Sequence, residues 1–362
     1  MTNKNADEYR IEQFNLDETE YSRVSKLIAT AFVDDTADIG GTISFDEETF
    51  HFMYGSPEMP KDLFIRAIHV PTGRMVGFLG GIPRNLIYED HTYKFAVPSW
   101  ASVHSKHQRH GLARRMGIKL MKIGQDRGYE GGFAAFEPEA HGIDAAYRIS
   151  EEIGVKMHEI LHISKFLIRV FDTRAAASVI RLKWYERVGI RLFERLKKVS
   201  NRRVRKFRSE DGDRVFELMQ DHIDRNELAV KRDKKDFLWY LNQPGVNCVV
   251  HENTDDIIDG FLVAWKFNMA GFGHSVPFGW LDLVHTYRLT ADDAADLCKY
   301  MCITAKDLGW AGLQSPYIPY FDPEPFKRAR FLFFPKELII GMFPMKNVAI
   351  PEKISSFYFD WR

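Results

Sequence analysis

The chain is poor in cysteine. Among 362 residues there are three, Cys248, Cys298 and Cys302. An odd, sparse set excludes a disulfide framework and supplies no zinc signature, so no metal is expected. Cys298 and Cys302 stand four apart, the spacing of one helix face, and read as reduced core thiols. A reducing, cytoplasmic compartment is the expectation. No run of eighteen apolar residues occurs, which excludes a membrane-spanning helix. The opening stretch, MTNKNADEYR, is polar and does not read as a signal peptide. Net charge is absent too: 50 Lys and Arg balance 50 Asp and Glu, so the whole-molecule field names no partner.

What remains is a globular composition, 45% hydrophobic and 28% charged, long enough for two domains. Aromatics reach 14%, with 28 Phe, which suits a deep apolar core or a slot for a greasy ligand. Helical spacing of Leu16, Val24, Leu27, Ile28 and Phe32 predicts a helix over 14–32, followed by an acidic loop, FVDDTADIGG. Residues 62–82 read as a hairpin around Pro71-Thr72-Gly73. A strand follows at 94–103, a helix at 112–127, a strand at 131–136, a helix at 143–152 and a strand at 156–170. This is a mixed α/β layer with one parallel crossover. The second half repeats the order: a hairpin around Asn253-Thr254-Asp255, a strand at 279–284, a helix at 291–308 and a strand at 311–314. Segments 338–343 and 357–361 are expected to close that second sheet.

Between the halves the character changes. Residues 174–208 carry thirteen Lys or Arg against two Glu. Ile180, Trp184, Val188, Leu192, Leu196 and Val199 share one helical face, and Lys183, Arg187, Arg191, Arg195, Lys198 and Arg202 another. The pattern predicts a basic amphipathic linker helix over 173–203, serving as a connector, a membrane-surface element or a dock for an acidic partner. Nucleic-acid binding is not expected, because no stacking platform or nucleic-acid motif accompanies the charge.

Chemistry concentrates in SWASVHSKHQRHGLARRMGIKL, 99–120. A strand ends near His104, a polar loop follows, and a helix opens after Gly111. The unpaired N–H groups of a helix start suit a phosphate or pyrophosphate. Gly111 allows close backbone approach, Ala113 keeps the first turn uncrowded, and Arg109, Arg114 and Arg115 add positive charge. The spacing Gln108-x-x-Gly111-x-Ala113 resembles the CoA loop of GNAT acyltransferases, the Gln/Arg-x-x-Gly-x-Gly/Ala pattern.

The resemblance extends to the N-myristoyltransferase family along most of the chain. Val76-Gly77-Phe78 with Ile82-Pro83 is similar to that family's VGF…IP strand. Val103-His104, then Gln108-Arg109-His110-Gly111-Leu112-Ala113, resembles its acyl-CoA-holding segment. Phe32-Val33-Asp34-Asp35 resembles its acidic substrate loop, Val284-His285-Thr286 its second-half VHT, and Tyr358-Phe359-Asp360-Trp361 its closing aromatic strand. The resemblance implies two GNAT-like domains in tandem, 1–172 binding acyl-CoA and 204–362 on the acceptor side, joined by 173–203. It implies an acyl-CoA site at Ser102, Val103, His104, Gln108, Arg109, His110, Gly111, Leu112, Ala113 and Arg114. The acceptor, a peptide or small amine, is met by Asp34, Asp35 and His285. The second half has HTYRLTADDA at the corresponding junction, with Asp292 and Asp293 at the helix start, which cap a helix and repel a pyrophosphate. One CoA site is therefore expected.

For mechanism, the resemblance implies carbonyl polarisation by backbone N–H groups at Trp100 and Ala101, where the family has Phe-Leu. The family's base is a C-terminal carboxylate beyond the aromatic strand. This sequence stops at Arg362, so the role is reassigned, by fold resemblance, to Glu137, with Glu139, His141 and His285 as further candidates. The expected activity is acyl transfer, fatty acyl first, from CoA to an amine. A short-chain acetyltransferase and a non-catalytic acyl-CoA- or partner-binding module stand as alternatives.

Overall fold

The computed structural model describes residues 8–35, 40–138, 141–200, 202–345, 348, 351 and 353–362. Two compact units divide the chain. Met1–Asp35, Phe45–His162 and Glu337–Ile354 form the first, and Thr36–Ser44, Ile163–Lys336 and Ser355–Arg362 the second.

In the first unit the strands lie in the order Tyr9–Gln13, Phe64–His69, Arg74–Tyr88, His91–Val103, Gly131–Phe136 and the latter half of Leu332–Pro344. All neighbours run antiparallel except His91–Val103 and Gly131–Phe136, which are parallel and joined through helix Leu112–Asp126. That helix forms because Leu112, Met116, Leu120 and Ile123 recur on one face. They pack on Leu63, Ile65, Ala67, Val76 and Leu79 of the sheet. Helix Glu47–Tyr54 starts where the Asp46 carboxylate accepts the Thr49 N–H at 2.7 Å, and it buries Phe50, Phe52, Met53 and Tyr54.

The second unit repeats the arrangement. Val204–Lys206, Val246–Glu252, Ile258–Gly271 and His274–His285 pair antiparallel in sequence order, and Gly312–Pro316 joins His274–His285 in parallel. Helix Ala291–Asp307 makes the crossover and buries Leu297, Cys298, Met301 and Cys302. The chain end is tied down by buried charge: Arg232 contacts Asp236 at 2.6 Å and Asp360 at 2.9 Å, and Arg362 also pairs with Asp236. Buried ions persist only when paired in this way.

Four expectations need correction. Residues 32–35 are the last turn of helix Glu18–Asp35, not loop. The closing aromatic strand shortens to Phe357–Tyr358. Segment 338–343 does not close the second sheet; residues 339–344 pair with Phe136–Gly131 in the first unit, while 166–170 pair with Pro316–Gly312 in the second. Each sheet thus takes its outer strand from the other half of the chain, which moves the expected boundary at 172 to 162. Finally, 173–203 is not one helix but two, Thr173–Val179 and Trp184–Phe193. Ile180 is drawn into a bridge with Gly40. Beyond Phe193 the carbonyls of Glu194 and Arg195 accept from Arg169 at 3.4 and 3.2 Å, and Leu196 and Val199 turn onto the core.

Candidate active site

Strands His91–Val103 and Gly131–Phe136 share hydrogen bonds only at Phe95–Gly131 and Ala96–Gly132. A Cβ on Gly132 would stand 2.7 Å from the Ala96 carbonyl oxygen, so glycine is what lets them touch there. Beyond that point both strands continue without a shared ladder, while their other edges are committed to Arg74–Tyr88 and to 339–344. Parallel strands end on one side, so the loop after Val103 and the segment after Phe136, beginning with Glu137, leave from the same mouth.

A bulge marks the open edge. Ser99 pairs with Gly80 and Ser102 with Phe78, leaving Trp100 and Ala101 opposite Leu79 alone. Trp100 takes a left-handed backbone, φ +55°, which costs a non-glycine residue about 1–2 kcal/mol. Packing and hydrogen bonds hold it. The Trp100 ring lies 4.2 Å from Phe45 and 5.8 Å from Phe32, centroid to centroid. The Ser102 hydroxyl donates to the Trp100 carbonyl at 2.9 Å, and Ser99 shares a 2.7 Å bond with the Tyr54 hydroxyl. Ala101 is exposed.

Past the bulge, His104 N–H donates to the Val76 carbonyl at 2.9 Å and the chain makes a short helical turn, Ser105–His107. The Gln108 amide donates to the Val103 carbonyl at 3.4 Å. Gly111, at φ +70°, turns the chain into helix Leu112–Asp126, and among the described residues no side chain caps that helix. The first intrahelical bond runs from Arg115 N–H to the Gly111 carbonyl, 3.0 Å, so the N–H groups of Leu112, Ala113 and Arg114 point out of the helix start. A Cβ on Gly111 would meet nothing within 4 Å. The arginines differ: Arg114 pairs with Glu152, Arg115 donates to the Tyr9 carbonyl at 2.9 Å, and exposed Arg109 has no ion pair among the described residues.

Under the loop sits a cluster that the sequence reading missed. Tyr9 bonds His107 Nδ1 at 3.0 Å and lies 5.4 Å from the His69 ring and 5.1 Å from His110; His107 lies 4.8 Å from His69 and 5.8 Å from His104. Burial, then the neighbouring histidines, pushes the His107 pKa down. The signal was present as His104, His107 and His110 at every third residue. Among the described residues no metal-binding group of three or more His, Cys, Asp or Glu occurs.

The remaining candidates fall as follows. Glu137 is exposed, one residue beyond strand Gly131–Phe136. Asp34 is exposed in the last turn of the helix whose Phe32 packs on Trp100. The side chains of Asp35 and His141, and all of Glu139, lie outside the described residues. His285 is not on an open surface. It is 0% exposed in the second unit, stacked on Phe261 at 5.1 Å and 4.5 Å from His222. Burial, then His222, pushes its pKa down to about 2, so it is a neutral core ring. A cavity of about 320 Å³ lined by Glu18, Tyr21, Glu47, Glu48 and His51 contains none of the expected residues.

The second unit shows what the same geometry looks like when closed. Val263 pairs with Leu283 and Ala264 with Leu281, so Asp282 is the bulged residue. There Val284 N–H donates to the Tyr320 hydroxyl at 3.2 Å, and Tyr320 donates to the Asp282 carbonyl at 3.4 Å. The Asp282 carboxylate accepts from Trp361 N–H and from the Tyr240 hydroxyl, both at 2.6 Å. The crossover helix is capped by Thr290, whose side chain accepts the Asp293 N–H at 3.2 Å, and Asp292 pairs with Arg328. Among the described residues no hydrogen bond from another element reaches Trp100 or Ala101 beyond the sheet ladder.

A hairpin, a bulged strand, a crossover helix and a splayed parallel strand, occurring twice, define a tandem GNAT fold. Among solved structures the chain is similar to Saccharomyces cerevisiae N-myristoyltransferase with bound myristoyl-CoA, at TM-score 0.71 and 16% identity over 93% of this chain and 82% of that one. Two further structures of that enzyme give 0.70 at 18% identity, over 92% and 79%, and 0.71 at 15%, over 92% and 80%; the latter also holds inhibitors. The architecture is therefore that of an N-myristoyltransferase. No protein-family model and no curated protein matches the chain.

Proposed function

We propose that this protein is an acyl-CoA-dependent N-acyltransferase that moves a fatty acyl group to an amine of a peptide or amino-acid-like acceptor. The observation that carries the reading is the contrast between the two bulges. The one at Asp282 is sealed by Tyr320, Tyr240 and Trp361, whereas the one at Trp100 opens beside an uncapped helix start.

In this reading the CoA phosphates meet the N–H groups of Leu112, Ala113 and Arg114, with Arg109 as the mobile counter-charge. The pantetheine follows the free edge toward Val103, and the thioester oxygen sits at the N–H groups of Trp100 and Ala101. Charge developing on that oxygen is stabilised there by a few kcal/mol. The neutral amine attacks the carbonyl carbon. The C–N bond forms, the C–S bond breaks, and CoA leaves as a thiolate. Glu137 takes the proton that turns the arriving ammonium into the neutral amine, and the remaining N–H proton passes to the departing thiolate. A carboxylate at the end of a helix opposes the helix dipole, so Asp34 stands where it is disfavoured, which supports a role in drawing a cationic acceptor. The myristoyl-CoA held by the solved relatives supports a long-chain donor.

The test is to incubate the protein with CoA thioesters from acetyl to palmitoyl and a peptide library, and to follow thiol release. Turnover with long-chain thioesters on free amines is expected. Turnover confined to acetyl-CoA would replace the reading with a short-chain transferase, and tight thioester binding without turnover would make the protein a binding module.

A further inference from the structure

Helix Trp184–Phe193 buries none of its residues. Trp184 is 78% exposed, Leu192 73%, Val188 55%, Tyr185 51% and Phe193 38%. These are five of the eleven exposed large hydrophobic residues described, gathered in ten positions. Scattered single hydrophobics are ordinary, but a contiguous patch marks an interaction surface. At 3.6 residues per turn, Trp184, Val188 and Leu192 stack along one line, with Tyr185 beside them. Arg187 and Arg191 run along the adjacent line, and exposed Arg195, Lys197 and Lys198 follow.

The charge is uncompensated. Arg187, Arg191, Arg195, Lys197 and Lys198 form no ion pair among the described residues. Both acids of the stretch are engaged with backbone: Glu186 accepts the Lys183 N–H at 2.7 Å and Glu194 accepts the Thr173 N–H at 2.6 Å. A row of Trp, Val and Leu bordered by free arginines matches the boundary of a bilayer, where aromatic rings sit at headgroup depth and Arg meets lipid phosphate. A second copy fits poorly, since two such helices would oppose their arginine rows. A helix of ten residues, about 15 Å long and about 10 Å wide, also presents a face on the order of 150 Å², small against the ~800 Å² per side of a stable protein interface.

We propose that helix Trp184–Phe193 is a membrane-surface anchor, laying Trp184, Val188 and Leu192 into the interface of a bilayer that contains anionic lipid. The full chain is floated with vesicles of phosphatidylcholine, with and without phosphatidylserine, at low and high salt. Flotation is expected with phosphatidylserine at low salt and is lost at high salt. Arg187→Glu with Arg191→Glu lowers partitioning roughly tenfold or more. Trp184→Ser with Leu192→Ser lowers it comparably, while both variants keep the wild-type melting temperature because nothing buried is touched. Wild-type protein that stays soluble with anionic vesicles at low salt overturns the proposal. So does flotation of both variants equal to that of the wild type. A wild-type dimer in sedimentation that Trp184→Ser with Leu192→Ser dissociates would reassign the helix to a protein interface.

Discussion

Trp100 packs its ring 4.2 Å from that of Phe45 while its backbone holds a left-handed φ of +55°. The contact keeps a bulge that the backbone alone disfavours. Two substitutions separate these effects. Trp100→Ala removes the ring and keeps the strain, and is expected to cost about 2–3 kcal/mol for a half-buried Trp. Trp100→Gly also removes the ring but relieves the strain, so it should be about 1 kcal/mol more stable than the alanine variant. In a regular strand the order is reversed. Urea unfolding of the pair reads the sign directly, and an alanine variant at least as stable as the glycine one would contradict the bulge.

Gly111 offers a cleaner separation of fold from binding. A methyl group there meets nothing within 4 Å, so Gly111→Ala carries only the left-handed backbone cost of about 1 kcal/mol. If CoA phosphates lie over the helix start, the methyl stands between them and the backbone. CoA affinity should fall about tenfold by calorimetry, which is 1.4 kcal/mol, with a small loss of melting temperature. Gly117→Ala, further along the same helix, is the control. Its Cβ would stand 2.4 Å from Ile149 Cδ1, so it should lower stability and leave CoA affinity unchanged in the folded protein.

Local chemistry made much of this legible. Strand Gly131–Phe136 and helix Leu112–Asp126 follow from apolar runs bounded by Gly and charged residues, and the open loop between them follows from Gly111 and the spacing to Gln108. Four things were not legible, each for a physical reason. Ile340 reads equally well as a strand residue in either sheet, and only long-range pairing with Ala135 decides which. The turn at Trp100 has no glycine or asparagine to announce a positive φ; it is imposed by Phe45, Phe32 and Ser102. The linker kept its amphipathic period through Ile180, but a bridge to Gly40 interrupts the helix there. His285 reads as chemistry through the resemblance of Val284-His285-Thr286 to a family motif; its packing against Phe261 makes it core.

Two buried histidines set an acid limit on stability. Burial pushes His222 down to about 4 and His285 to about 2, from an ordinary 6.5. Between those values the unfolded chain binds protons that the folded chain refuses. Stability is therefore fully present above pH 6.5 and falls as pH drops, by about 1.4 kcal/mol per pH unit for each ring. The His222 contribution is exhausted near pH 4, and that of His285 continues below it. Replacing His285 with Phe should flatten the slope of unfolding free energy against pH by about 1.4 kcal/mol per unit below pH 6.5, whatever it does to stability at neutral pH. An unchanged slope would show that His285 is protonated in the folded protein.

The proton acceptor is where acceptor identity and mechanism meet. Glu137 sits at the mouth where the two splayed strands end. If it takes the amine proton, Glu137→Gln should lower kcat about 10²–10⁴-fold while leaving thioester affinity intact. How much of that loss appears depends on the acceptor. A peptide α-amine has a pKa near 8 and a Lys side chain near 10.4, so the neutral fraction at pH 7 differs by about 2.5 units, or roughly 3.4 kcal/mol. On an α-amine, the variant should recover as pH rises through about 8, because the amine then arrives neutral. On a Lys side chain, recovery should not begin until near pH 10. A pH–rate profile of wild type and variant on both acceptor types therefore reads out the base and the acceptor together. Equal turnover by the variant on every acceptor, at every pH, would remove Glu137 from the mechanism.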